Sequence, residues 1–326
     1  MTHDDYHAAR RLLSERFGPS RLIRAATLSK HVGVDTHLKL ENELPTASFK
    51  VRGAYHALWA RCRAGPIGEV VAASTGNHGA AVAWAAREFR ISARIFVPLG
   101  ANPVKVGRIK ALGAELTEAG ADIEGARRAA ESYVAKAGAE LLDDATSPDV
   151  PAGAGTIGLE ILDQLPECSS VIVPVGDSAL IRGVAGAMKG ERPDVRVVGV
   201  QASGAPAYYR SWQSGRVVTT ETADTIADGL ATTRPTESNV AQIRSLVDAM
   251  VLVSETEMLD AMQLLIATEG VVAEPSAAAS VAALLQAPGS VRSPVVALIT
   301  GGNVSPEAQR LLDARHAKSH AKGSES

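Results

Sequence analysis

Short runs of apolar, largely β-branched residues recur along the chain, each followed by a longer stretch of helical periodicity. Strands are predicted at 36–41, 69–73, 93–97, 171–175, 195–201, 250–253 and 295–300. Several are apolar at every position, which marks strands covered on both faces, as in parallel sheets. Helices are predicted at 77–89, 103–112, 123–137, 156–165, 255–268 and 275–285. Repeated β-then-α order defines an α/β chain with parallel-rich sheets flanked by helices. At about 150 residues per domain, the 326 residues make room for two.

Composition excludes several partners. The net charge is −3 and aromatics are 4 %, so neither a basic nucleic-acid footprint nor a base-stacking platform is present. Cys62 and Cys168 lie far apart and form no CxxC pair, the pattern of a reducing compartment. The first residues, Met1-Thr2-His3-Asp4-Asp5, contain no apolar stretch of a signal peptide. No apolar run approaches the roughly 18 residues of a membrane span. A soluble cytoplasmic protein with no membrane partner is the expectation.

Three polar turns stand at predicted strand ends: Ser74-Thr75-Gly76-Asn77-His78-Gly79, Gly176-Asp177-Ser178 and Thr300-Gly301-Gly302-Asn303. Open parallel sheets bind ligands beyond the carboxyl ends of their strands, so these turns are the candidate site. Residues 142–155, rich in Asp, Pro and Gly, read as a domain crossing. The tail after Ala314 lacks an apolar pattern, and 316–326 reads as disordered.

One lysine has the setting of a nucleophile. In Pro45-Thr46-Ala47-Ser48-Phe49-Lys50, Pro45 ends a strand and Ser48 can cap a helix whose first turn holds Lys50. The positive field of a helix start disfavours a charged amine there, which helps Schiff-base chemistry.

This stretch resembles the lysine motif of fold-type II pyridoxal-phosphate enzymes, in the threonine/serine dehydratase (ammonia-lyase) group. The resemblance runs over about residues 36–305. Ser74–Gly79 is similar to the family's Ser-x-Gly-Asn-His-Gly loop. Ala152–Thr156 with Leu159-Glu160-Ile161 resembles its crossover helix, and Val173–Gly176 leads into its phosphate loop. Thr225–Gly229, Glu274-Pro275-Ser276 and Thr300–Asn303 match three further signatures.

The resemblance implies a tryptophan synthase β-like fold of two domains with pyridoxal 5'-phosphate between them. The larger is expected at 1–50 and 147–315, the smaller at 51–146. Lys50 is implied to form the Schiff base with the cofactor and then to move the substrate's α-proton, with Phe49 beside it. Asn77 is implied to bond the cofactor's 3′-oxygen. Ser74, Thr75, Gly76, Asn77 and His78 are implied to hold the substrate carboxylate at a helix start. Thr75 occupies the place of a second acid/base hydroxyl. Gly176, Asp177, Ser178, Ala179 and Leu180 are implied to seat the phosphate, with Ser178 adding a hydroxyl. Thr300 is implied to face the pyridine nitrogen. A neutral hydroxyl there gives a weaker electron sink than a carboxylate, which suits loss of a β-leaving group over transamination.

The chain departs from the family in places. Gly176-Asp177-Ser178-Ala179 replaces a run of glycines, and the Asp177 carboxylate must turn outward, onto neighbouring amides, to avoid a phosphate dianion. Gln201 and Ala207 stand where some relatives place cation-binding carboxylates, so no metal is expected. Ala154 replaces a frequent Gln. No C-terminal regulatory domain is expected. The run 199–212, with Tyr208, Tyr209 and Trp212, resembles a subgroup linked to hydroxyectoine breakdown. Those aromatics read as pocket-lining or, more in keeping with aromatic residues, as packing or dimer contacts. His3, His7, His31, His37, His56, His316 and His320 read as surface or packing residues without metal spacing.

The expected activity is β-elimination from a 3-hydroxy amino acid such as threonine, serine or a hydroxylated diaminobutyrate, releasing a 2-oxo acid and ammonia from a homodimer. The alternatives are a racemase on the same scaffold, with Thr75 as its second acid/base; a β-replacement synthase, which His78 disfavours because that group has Thr there; and a non-catalytic cofactor-binding protein.

Overall fold

The computed structural model describes residues 1–101 and 103–323. The described residues form ten strands: β1 (Leu22–Arg24), β2 (Thr36–Leu40), β3 (Glu69–Ala73), β4 (Ser92–Val97), β5 (Glu115–Glu118), β6 (Glu140–Leu141), β7 (Ser170–Pro174), β8 (Arg196–Ala202), β9 (Ala249–Val253) and β10 (Val295–Ile299). Contacts divide the chain into two compact units. The first comprises Met1–Pro19, Leu44–Glu160 and Arg182–Glu191; the second comprises Ser20–Glu43, Ile161–Ile181 and Arg192–Ser326. The domains expected at 1–50 with 147–315 and at 51–146 stay a proposal of the family pattern.

The first unit holds a four-stranded sheet in the order β5-β4-β3-β6, parallel throughout. Helix Ile123–Ala137 packs Ala126 and Ala130 against Val71 and Phe96 of this sheet. Because β3 and β6 are parallel neighbours, the segments following both leave the same sheet edge. One carries Ser74–His78 and the other carries Leu142 to Asp144.

The second unit holds a six-stranded sheet in the order β1-β2-β10-β7-β8-β9. All its pairings are parallel except β1 with β2. β7 and β10 are buried at every position, the outcome expected of continuously apolar strands. Helix Pro275–Gln286 is buried from Pro275 to Leu284 on all faces, so it lies in the core. Its Ser280 hydroxyl is satisfied by the Leu298 carbonyl at 2.9 Å. β7 and β10 are also neighbours, so Gly176 and Thr300 follow adjacent carboxyl ends.

The seven predicted strands are present within a residue or two. β1, β5 and β6 are too short, at three, four and two residues, to show a period in the sequence. The segment 142–155 is not all connection: helix Val150–Gln164 begins six residues before the predicted start. Its glycines hide the helix from propensity reasoning but are needed for contact. A Cβ on Gly153 would come within 2.3 Å of the Arg52 carbonyl oxygen, and one on Gly155 within 2.3 Å of the Tyr6 ring. Helix Pro306–Gly323 covers the start of the expected tail; residues 324–326 lie outside the described residues.

The Gln201 side-chain oxygen accepts from the Tyr209 N–H at 2.8 Å, tying β8 to helix Ala207–Ser214. Among the described residues, no helix is long and apolar enough to cross a membrane.

Candidate active site

In the first unit, helix Lys50–Ala64 begins at the lysine itself. The Lys50 N–H donates to Ser48 Oγ at 3.3 Å, but the N-cap position falls to Phe49, not to the expected Ser48, and carries no side-chain cap. The turn leading in is strained: Ala47 has φ 53°, a left-handed conformation unusual for a residue with a Cβ. The Lys50 side chain is only 16 % exposed and passes 5.3 Å from the Phe49 ring centre.

Its amine makes a close ion pair with Asp144 Oδ2. His78 Nδ1 lies 3.6 Å from the same oxygen, and His78 Nε2 is 2.9 Å from the Leu142 carbonyl oxygen. Burial alone would raise the Asp144 carboxyl. The charges of His78 and Lys50 outweigh it and hold that carboxyl well below the usual carboxylate range. The sequence reading gives Lys50 only the helix-end field; the structure adds an attractive carboxylate. Asp144 had no distinguishing sequence signal, because it lies in an Asp-rich connection.

The helix carrying Lys50 is fixed by a second buried pair. Arg52, fully buried, donates to both oxygens of Glu160 at 2.6 and 2.9 Å and to Thr156 Oγ1 at 3.0 Å. This fork binds the helix to Val150–Gln164 two residues from the lysine.

Ser74, Thr75, Gly76 and Asn77 are partly exposed at the start of helix Asn77–Phe89, while His78 is buried. Ser74 Oγ accepts from the Gly76 N–H at 3.1 Å. A Cβ on Gly79 would meet the Ser74 carbonyl oxygen at 2.8 Å, so the turn closes only around glycine. The partly exposed N–H groups of a helix start suit a carboxylate.

In the second unit, Gly176-Asp177-Ser178 turns into helix Ala179–Glu191. A Cβ on Gly176 would strike the Gly229 carbonyl oxygen at 2.0 Å. Gly229 is itself held by its N–H donating to Ser276 Oγ at 3.0 Å. Three sequence signatures thus pack against one another. Ser178 has φ 77° and is 2 % exposed. Its hydroxyl donates to Tyr208 Oη at 3.2 Å. Tyr208 Oη also accepts from Asn239 Nδ2 at 3.3 Å, so the buried Tyr208 braces the loop. The Asp177 carboxylate takes a hydrogen bond from Thr232 Oγ1 at 3.2 Å. Ala179 and Leu180 are buried in the first helical turn.

Thr300 is 4 % exposed, one residue past β10. Next to it, the Gly301 carbonyl accepts from the Glu274 N–H at 3.0 Å, and the Glu274 carboxylate packs where a Gly301 Cβ would be. Burial pushes the Cys168 thiol up to about 12, so it is no nucleophile. The histidines hold one surprise: His3 and His7, given no spacing by the sequence reading, lie one helical turn apart and share a carboxylate.

A parallel-rich α/β chain with a half-buried lysine at a helix start and a glycine-tight turn at a second helix start has the parts of a lysine-linked phosphate-cofactor enzyme. Residues 13–301 match the family model described as pyridoxal-phosphate dependent enzyme, and the chain belongs to that family. It is 38 % identical over 304 residues to the L-threonine ammonia-lyase of Thermotoga maritima, covering 93 % of this chain and 76 % of that protein. It is 35 % identical over 306 residues to the catabolic L-threonine dehydratase of Escherichia coli K12, covering 92 % of each. The structure of maize serine racemase superposes with a TM-score of 0.89 at 30 % identity, over 98 % of both chains.

Proposed function

We propose that this chain is a pyridoxal-phosphate-dependent ammonia-lyase that removes the β-hydroxyl and amino group of L-threonine or L-serine. The observation that carries the reading is Lys50, half-buried at the first residue of its helix with the Asp144 carboxylate against its amine. The likeness to threonine ammonia-lyases and dehydratases supports the substrate class.

The residues present fit the cofactor. Lys50 is the amine that holds it, and the tight turn 176–180, with the N–H groups of a helix start, is the phosphate seat. Thr300 offers a neutral hydroxyl for the ring nitrogen, and Asn77 an amide for the ring oxygen. When bound, pyridoxal phosphate supplies the electron sink that makes the substrate's α-proton acidic.

The chain's own groups do the rest. The N–H groups at 74–78 orient the substrate carboxylate. Lys50 Nζ takes the α-proton, and the β-hydroxyl departs as water by gaining that proton. Asp144 Oδ2 holds the Lys50 amine in place between steps and is a positioning residue. The enamine product then hydrolyses to a 2-oxo acid and ammonia.

The likeness to serine racemase and the partly exposed Thr75 favour one second reading, in which Thr75 returns a proton to the opposite face. Narrower proposals rest on sequence alone: a hydroxylated diaminobutyrate substrate on the run 199–212, a homodimer on family resemblance, and a cytoplasmic location on composition.

The test is the visible spectrum of the purified holoenzyme with L-serine, L-threonine, hydroxyaspartate and a hydroxylated diaminobutyrate, alongside assays of 2-oxo acid and ammonia. A band shift with product accumulating from one substrate is expected, and Lys50→Ala abolishes both. Inversion of serine without ammonia selects the racemase. Ammonia release retained by Lys50→Ala overturns the reading.

A further inference from the structure

A second cluster lies wholly within the first unit and outside the candidate active site. Helix His3–Arg16 presents His3 and His7 on one face, one turn apart. Glu191, the last residue of helix Ala179–Glu191, meets them. His3 Nε2 and His7 Nε2 each lie 2.6 Å from Glu191 Oε1 and 3.3 Å from one another. Their side chains are 51 %, 33 % and 34 % exposed, so the cluster is open to solvent.

We propose that His3, His7 and Glu191 form a binding site for a zinc-class divalent cation, which clips the first turn of the N-terminal helix to the end of helix Ala179–Glu191. The donor set, two imidazole Nε2 atoms and one carboxylate, is the kind that binds zinc with a fourth position left to water. Bonds of about 2.0–2.1 Å in a tetrahedron put two nitrogens about 3.3 Å apart. The two Nε2 atoms already stand at that separation. An arriving cation needs only a small outward shift of the Glu191 oxygen, at the end of a three-carbon side chain.

Converging two ring nitrogens on one carboxylate oxygen is also a hydrogen-bonded arrangement, so the site forms before metal arrives. The helix does not depend on the cation. Tyr6, between the two histidines, is 5 % exposed, and its ring occupies the space that Cβ atoms on Gly155 and Gly186 would take. Variants at His3 and His7 therefore fold. Imidazole donors select zinc, cobalt, nickel or copper over magnesium and calcium.

The experiment uses the untagged holoenzyme after treatment with a chelator. Cobalt(II) is titrated and followed by its ligand-field absorption, and zinc is then added in competition. One cobalt per chain with a tetrahedral-type band, displaced by zinc, is expected. Zinc at about 100 times its dissociation constant raises the Tm by several degrees, and magnesium does not. His7→Ala and Glu191→Gln each weaken binding by at least about 100-fold, with His3→Ala as an independent third variant at an exposed position. Circular dichroism confirms that each variant is folded. The pair His316 and His320 shares the same sequence spacing, so the double variant His316→Ala/His320→Ala must leave binding intact. The proposal is overturned if no band forms, if the three site variants bind as tightly as the parent, or if the tail variant is the one that loses the metal.

Discussion

The surroundings of Lys50 and of the loop 176–180 are built on opposite electrostatic plans. The first is held by charge: Lys50 against Asp144, His78 beside them, and Arg52 forked onto Glu160. The second is held by neutral donors: Ser178 to Tyr208, Asn239 to Tyr208, and the Gly229 N–H to Ser276. Each contains one non-glycine residue in the left-handed region, Ala47 and Ser178 respectively. The difference follows from the job proposed for each. A lysine that must gain and lose a proton needs a charged neighbour to place it, whereas a seat for a dianion must keep other carboxylates engaged elsewhere. Asp177, bonded to Thr232, is engaged in that way.

The contrast breaks most visibly at Arg52. Removing one partner of a buried ion pair leaves the other uncompensated, at a cost of about 3–5 kcal/mol. Arg52→Ala is therefore expected to lower the denaturant midpoint sharply, and a midpoint within error of the parent would show that the charged region is not held by this pair.

Asp144→Asn tests positioning. Loss of the carboxylate is expected to reduce kcat/KM for ammonia release by about 100-fold, the scale of a misplaced reacting group, with little change in cofactor affinity. The same variant should flatten the acid side of the stability curve. Because the folded Asp144 carboxyl lies below its ordinary 3.8, the unfolded chain takes up its proton first as pH falls. The stabilisation is present above that value and is lost as pH drops through the folded one. His56 adds to this at milder pH: burial lowers its imidazole below the ordinary 6.5, so acid below that value favours the unfolded chain.

Tyr208→Phe is the counterpart in the neutral region. It removes the hydroxyl that Ser178 and Asn239 bond, worth about 0.5–1.5 kcal/mol. Cofactor affinity is expected to fall about 3- to 10-fold with kcat retained, the reverse of the Asp144→Asn pattern. Both variants altering kcat alone would erase the distinction.

The smallest effect is expected at Ser178→Gly. Relief of a left-handed serine, about 1 kcal/mol, offsets the lost hydrogen bond to Tyr208, so the Tm should move by no more than about 2 °C. A large drop would mean that the hydroxyl outweighs the backbone strain.

Much of this was legible beforehand. The apolar runs of β7 and β10 are read directly, because a strand buried on both faces has no polar position to disguise it. Lys50, Asn77, Gly176 and Thr300 lie in short contiguous patterns, so the sequence singles them out as candidates. What escaped was made by long-range meetings. Asp144 reaches Lys50 and His78 only because β3 and β6 are parallel neighbours, whose following segments leave one sheet edge. Ser178 turned to Tyr208, 30 residues on, and no local pattern records that partner.

The sequence by itself determined the alternation of strands and helices, the lysine at a helix start and the glycine-bearing turns, since periodicity, capping and backbone freedom are local properties. Only the tertiary structure decided which charges face one another: Asp144 with Lys50, Glu160 with Arg52, Glu191 with His3 and His7. A carboxylate costs too much to bury without a partner, yet nothing in its own neighbourhood along the chain says which partner the fold will bring.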